Sequence, residues 1–240
     1  MTMFEAKSIV ARHTLLTAVR DVSLAVERGE VLAVVGANGA GKTTLFRTLA
    51  GVHPVAAGAI LLEGKDVTAL PAHLRVRSGI ALSPEGRRLF PEMTVVENLT
   101  VAGEHGRTGK WSLDAVMAAF PQLAAVAKSP AGNLSGGQRQ AVAIARALMS
   151  NPKVLLLDEI SLGLSPVAIE GLYENLEALK ATGETAIILV EQDLDRAIAF
   201  SDRVVCMLEG RVQLEGRSGE LSRSSIADAY FGLAASFEEA

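Results

Sequence analysis

The sequence predicts an α/β protein, a parallel-sheet core of 240 residues carrying a helical insertion. Three observations lead there. Apolar runs of buried-strand type, "EVLAVV", "KVLLLD" and "TAIILV", alternate with helical stretches, as in a parallel sheet covered on both faces. A glycine-rich loop, "GANGAGKTT", joins the first run to a helix. From about residue 87 to 150 strand patterns stop and helical spacing takes over.

Taken in order, residues 3 to 35 read as short strands ending in "EVLAVV". After the glycine loop a helix runs through "TTLFRTLAG" and is closed by Gly51. "AILLEGKDV" and "SGIALS" read as further strands. The middle block holds "TVVENLTVAG", "LDAVMAAFPQLAAVAKS" and "GQRQAVAIARALM" at helical spacing, split by the polar loop "GEHGRTGKWS". In the last of these, Ala141, Ile144, Ala145 and Leu148 form a one-sided apolar stripe. Strands return with "KVLLLD", "TAIILV" and "DRVVCML", the first two separated by the helix "PVAIEGLYENLEALKAT". The expected organisation is one domain over 1–240. Residues 1–86 and 151–240 form its α/β core, and about 87–150 form a helical subdomain.

Composition narrows the function. A net charge of −4 argues against a dedicated nucleic-acid binder, which carries a basic excess. Cys206 is the single cysteine, so no internal disulfide forms; it reads as a small buried hydrophobe, and a reducing compartment fits. The start "MTMFEAKSIVARHT" lacks the charged head and apolar core of a signal peptide. No apolar run approaches the ~20 residues that cross a bilayer. The expectation is a cytosolic protein whose membrane role, if any, runs through partners.

Residues Gly36 to Thr43 satisfy G-x-x-x-x-G-K-[ST] between a strand and a helix, the context that gives the pattern meaning. Backbone amides of Gly36, Ala37, Asn38, Gly39, Ala40 and Gly41 curl around phosphate oxygens, and the helix N-terminus adds its dipole. Lys42 offers a point charge to the β- and γ-phosphates, Thr43 a hydroxyl to Mg²⁺, and Thr44 a reach to the α-phosphate. "VLLLDE" sets Asp158 and Glu159 at the carboxyl end of a buried strand, where ligands of open α/β sheets sit. Asp158 then holds Mg²⁺ through water, and Glu159 polarises the attacking water as general base. A second phosphate-type loop, Ser135, Gly136, Gly137 and Gln138, opens the helix "GQRQAVAIARALM".

"GANGAGKT", "LSGGQRQ" and "VLLLDE", in that order, resemble the nucleotide-binding subunit of ABC transporters over essentially the whole chain. The resemblance implies the ABC type of P-loop NTPase fold: a mainly parallel core, an antiparallel N-terminal β part and the helical insertion. It also explains two phosphate loops in one chain. Two subunits stack head to tail, and the Ser135–Gln138 loop of one closes over the γ-phosphate held by the other. ATP joins the dimer and hydrolysis releases it. "SPEGRRLFPEMTVVENL", "DEISLGLSP", "LVEQD" and the ending "IADAYFG" resemble the ATPase of branched-chain amino acid importers. That likeness implies a second, similar ATPase, two membrane permeases and a periplasmic or extracellular solute-binding protein. It places the chain on the inner face of the cell membrane. Importers of urea or another small solute use the same plan. A soluble ABC ATPase of DNA repair or translation is a competing class, and the single ATPase half and lone cysteine count against it; a regulatory subunit that binds ATP without turnover is another, suggested by Gln192 and opposed by Glu159.

Several positions depart from the family pattern. Glu85 stands where most members have a glutamine linking the Mg²⁺ site to the permease, and a carboxylate still ligates metal. Gln192 stands where most have a histidine on the γ-phosphate; its amide donates a hydrogen bond but carries no proton or charge. Ser165 replaces an aspartate that touches the opposite subunit, and Ile160 replaces a proline. His13 aligns with the aromatic that stacks on adenine, or is simply an exposed polar residue. His53, His73 and His105 lack metal-ligand spacing and read as surface residues. Arg87 and Arg88 are either a solvated basic pair or the rim of the cleft that receives a permease helix.

Overall fold

The structure, a computed structural model, describes residues 2–232. Two long strands open it, β1 (Thr2–His13) and β2 (Leu16–Glu27), paired antiparallel. The several short strands expected here are therefore two strands of 12 residues each. Register shifts around Ala6, Ile9 and Ala11 interrupt the alternation along β1, so the sequence looks broken where the pairing is continuous. β4 (Ala57–Leu62) adds to β1, and β5 (Lys65–Asp66) adds to β4 through the Glu63–Gly64 turn, where φ is 49° and 76°. "AILLEGKDV" is thus a hairpin with a left-handed two-residue turn.

The second sheet has the order β10-β9-β3-β8-β7-β6. Its parallel members are β3 (Val31–Val35), β6 (Ile80–Ser83), β7 (Val154–Asp158), β8 (Ala186–Val190) and β9 (Arg203–Leu208). β10 (Arg211–Arg217) returns antiparallel along β9. It went unread in the sequence because, as an outer strand, it alternates exposed and half-buried residues without a strong apolar face.

The central strands are buried on both faces, which is why they read as unbroken apolar runs. Val31, Ala33 and Val35, with Leu155, Leu157, Ile187 and Leu189, face the helical side. Leu32, Val34, Leu156 and Ile188 face the antiparallel sheet. α1 (Lys42–Leu49), which follows the glycine loop, inserts Leu45, Phe46 and Leu49 into that inter-sheet core.

α2 (Ala72–Ser78) supplies Arg75, which is 2% exposed. Its guanidinium donates to the carbonyls of Thr48 and Leu49 at the end of α1, and to those of Thr68 and Leu70. A cation at a helix C-terminus is well placed for the dipole and for carbonyls that have no intrahelical partner.

The remaining helices cover the far face: α3 (Val95–His105), α4 (Leu113–Ala119), α5 (Gly136–Leu148), α6 (Pro166–Ala181), α7 (Leu194–Phe200) and α8 (Arg223–Phe231). "LDAVMAAFPQLAAVAKS" is not one helix. α4 stops at Phe120 (φ −126°, ψ 69°), and Pro121–Val126 form a 3₁₀ segment. Pro121 brings no N–H and pushes the residue before it out of the α region.

Candidate nucleotide-binding site

Parallel pairing brings the carboxyl ends of four neighbouring strands to one edge. The glycine loop follows β3, Glu85 follows β6, Asp158 ends β7, and Gln192 follows β8. A cavity of about 580 Å³ opens there, lined by Asn38, Gly39, Gly41, Lys42, Thr43 and Thr44 together with His13, Glu85, Glu159 and Gln192.

The loop is held by its own lysine. Lys42, 4% exposed, donates from Nζ to the carbonyls of Gly36 at 2.7 Å and Ala37 at 3.0 Å. Burial pulls the lysine's pKa down, and the charges of Glu159 and Asp158 push it back up. Gly41 needs to be glycine: φ is +98°, and a Cβ would lie 2.3 Å from the Ala18 carbonyl oxygen.

Beside the loop, the Thr43 hydroxyl lies 3.5 Å from Asp158 Oδ1. Asp158 is 1% exposed, and its carboxyl is raised to about 6 by burial, with Glu159 and Glu85 adding repulsion. Ser83, in register with Leu157, buries an Oγ with no hydrogen-bond partner among the described residues. Glu159 has φ 49°, a left-handed conformation unusual outside glycine, and such strain gathers at functional sites. Its Oε2 accepts from Gln192 Nε2 at 3.0 Å.

His13 Nε2 sits 3.1 Å from the Thr44 hydroxyl. Its ring lies 4.5 Å from that of His53, tilted by 42°. His53 is half-buried and bonds the Arg12 carbonyl oxygen, so it is not the open surface residue expected; His73 and His105 are exposed.

The other phosphate-type loop lies elsewhere. Ser135 caps α5, its hydroxyl accepting from Gln138 N while Gln138 Oε1 accepts from Ser135 N. Ser135, Gly137 and Gln138 line a cavity of about 510 Å³ with α6 residues Val167, Ala168 and Gly171. That cavity has no lining residue in common with the first. Gly136 packs near Leu164.

Among the departures from the family pattern, Ser165 caps α6 and Ile160 is fully buried. Arg87 is no solvated charge: its Nε donates to Gln140 Oε1 on α5 at 2.9 Å, and its carbonyl accepts from Arg146. Arg88 is exposed. Sequence reasoning missed Ser161, Tyr173 and Glu191, whose contacts join three separate elements.

The ABC transporter family model matches residues 19–161, a span containing the glycine loop, the Ser135–Gln138 loop and Asp158–Glu159. The chain belongs to the ABC transporter family. It is 41% identical over 220 residues to the high-affinity branched-chain amino acid transport ATP-binding protein BraG of Pseudomonas aeruginosa, covering 90% of this chain and 94% of that protein. It is 39% identical over 203 residues to the probable branched-chain amino acid transport ATP-binding protein LivF of Archaeoglobus fulgidus, covering 84% and 86%. Among solved structures, the ADP conformation of MJ1267, an ATP-binding cassette of an ABC transporter, superimposes with a TM-score of 0.82 at 28% identity, covering 97% of this chain and 99% of that one. The fold is that of these cassettes.

Proposed function

We propose that this cassette is the ATP-hydrolysing subunit of an importer for branched-chain, hydrophobic amino acids. It would work at the inner face of the membrane with two permeases, a second similar ATPase and an external solute-binding protein. The likeness to BraG and LivF along most of the chain supports the solute class. Among the described residues no helix is long and apolar enough to cross a membrane, so passage of the solute is left to other subunits.

The observation that carries the mechanism is the separation of the two loops into cavities without a shared lining residue. On this reading each chain supplies half of a site. A head-to-tail partner would bring its Ser135–Gln138 loop over the phosphates lying on Gly36–Thr44, while His13 offers an imidazole face beside the base. Within the site Lys42 sets positive charge against the phosphates. Glu159 takes the proton of the attacking water, and the Gln192 amide orients the Glu159 carboxylate.

The residues fit Mg²⁺. Thr43, Asp158 and Glu85 are hard oxygen donors, and a carboxyl raised to about 6 by burial and two acidic neighbours is one that a cation would relieve. Among the described residues no group of three or more His, Cys, Asp and Glu side chains forms a metal cage, so Mg²⁺ held here would draw other ligands from water and phosphate. When bound, the ion would neutralise charge on the transferring phosphoryl group. The helical block of about 87–150 we assign as a subdomain of the one domain.

The test is purification of tagged Glu159→Gln chain from solubilised membranes with MgATP. Two multi-span permeases and a second ATPase should remain bound. A chain that dimerises alone with nothing membrane-bound would end the transport assignment. Full turnover in Lys42→Ala would end the site assignment.

A further inference from the structure

Glu191 directly follows β8 and is 1% exposed, yet among the described residues its carboxyl group forms no ion pair. Three donors from three elements converge on it. The Tyr173 hydroxyl of α6 donates to Oε1 at 2.7 Å. The Ser161 hydroxyl, on the turn after β7, donates to Oε2 at 2.8 Å. The backbone N–H of Gln192 donates to the same Oε2 at 3.2 Å. Tyr173 stays a phenol, since burial and then the adjacent Glu191 charge push its pKa up. Its ring packs edge-on against Phe200 at 5.2 Å, with the Arg196 guanidinium 5.6 Å above it. The carboxylate therefore has a full set of partners held in place from behind.

What these contacts fix is the turn that carries Gln192 and the turn that carries Glu159. Ser161 lies two residues after Glu159, and the Gln192 peptide follows Glu191 directly. Next to that Ser161–Glu191 contact, Gln192 Nε2 donates to Glu159 Oε2 across the same two turns. We propose that Glu191 is a positioning residue for ATP hydrolysis, a buried anchor that sets the Gln192 amide on the Glu159 carboxylate by tying both turns to helix α6. It touches no reacting atom. It acts on how the base is aimed, and so on turnover rather than on nucleotide affinity. The inference rests on the reading of Glu159 as base with Gln192 as its partner.

Glu191→Gln keeps the shape but replaces one acceptor oxygen with an NH₂ donor, leaving the Tyr173 hydroxyl or the Ser161–Gln192 pair of donors unmatched. The experiment measures kcat and KM for ATP in the full chain with this substitution, in the native and Gln192→Ala backgrounds. In the native background kcat should fall about tenfold, the size of one good hydrogen bond, with KM held within about twofold. In the Gln192→Ala background the same change should cost less than about twofold, because residues that act as a unit are not additive.

A tenfold loss in both backgrounds would show a general structural effect and overturn the proposal. Unchanged kcat in Glu191→Gln beside a slowed Gln192→Ala chain sinks the proposal alone. Unchanged kcat in Gln192→Ala sinks the Gln192 assignment and this inference with it. Should Glu191→Gln fail to fold, Tyr173→Phe read in the same two backgrounds decides the matter by the same criteria. A readout free of turnover is the Gln192 side-chain amide resonance, which should move in Tyr173→Phe and in Glu191→Gln. A stationary signal overturns the proposal.

Discussion

Asp158 should make the folded protein less stable at neutral pH than it would be with an asparagine there. Its carboxyl is raised from 3.8 to about 6, first by burial and then by the charges of Glu159 and Glu85. A folded value above the unfolded one means that the native state holds the proton more tightly. The penalty is absent below about pH 4, grows through the window from 3.8 to 6, and is complete above it. At about 1.4 kcal/mol per pH unit, the full penalty is on the order of 3 kcal/mol, and near pH 5 it is about half that. The hydrogen bond from Thr43 is long, at 3.5 Å, so asparagine gives up little in return. Urea unfolding of native and Asp158→Asn chains, free of metal and nucleotide, should show the variant more stable at pH 7.5, by on the order of 3 kcal/mol less the support that the Asp158 charge lends Lys42, with the gain clearly smaller at pH 5. Mg²⁺ with ATP should then stabilise the native chain far more than the variant. A variant that is equally stable or weaker at pH 7.5, or a gain that does not shrink towards pH 5, would refute the electrostatic reasoning.

Arg75→Met keeps the bulk but strips the carbonyls of Thr48, Leu49, Thr68 and Leu70 of their donor; a loss of about 3 kcal/mol or more is expected by chemical denaturation, and one below about 1 would contradict the clamp. Gly41→Ala places a Cβ 2.3 Å from the Ala18 carbonyl at φ +98°, so nucleotide binding should disappear in a titration while a Gly64→Ala control, with open space around it, keeps it. Asn98 is fully buried and bonds both the N–H and C=O of Phe90 as well as the carbonyls of Met93 and Thr94. Asn98→Ala should cost about 2 kcal/mol and open residues 90–94 to limited proteolysis; an unchanged cleavage pattern would be the contrary result. Hydrolysis by the chain alone should rise with the square of its concentration at low concentration, and a strictly linear rate would argue against paired half-sites.

The strands beneath the site were legible because burial on both faces leaves unbroken apolar runs such as Val154–Leu157 and Ala186–Val190. The glycine loop was legible because its spacing is fixed by phosphate geometry. What escaped has physical reasons. β1 hides behind register shifts, and β10 lies at an edge with alternating polar positions. α2, α7 and α8 are helices of 7, 7 and 9 residues, too short for a clear period. The Glu191 cluster joins residues 18 and 30 positions apart by hydrogen bonds alone, and pairings of that kind leave no pattern along a chain. Arg87 read equally as half of a solvated pair or as the rim of a cleft, and its contact with Gln140, 53 residues on, rules out the first without leaving a mark along the chain.

The lysine in the glycine loop has a consequence for how a nucleotide is greeted. An ammonium has three hydrogens to donate, and two of those on Lys42 are engaged by Gly36 and Ala37. The loop is thus tied across by a crossbar of its own making, from one end of the glycine run to the helix that follows it. A phosphate arriving there would find the third N–H of that crossbar, and whatever ordering the two ties supply would not have to be drawn from the energy of contact.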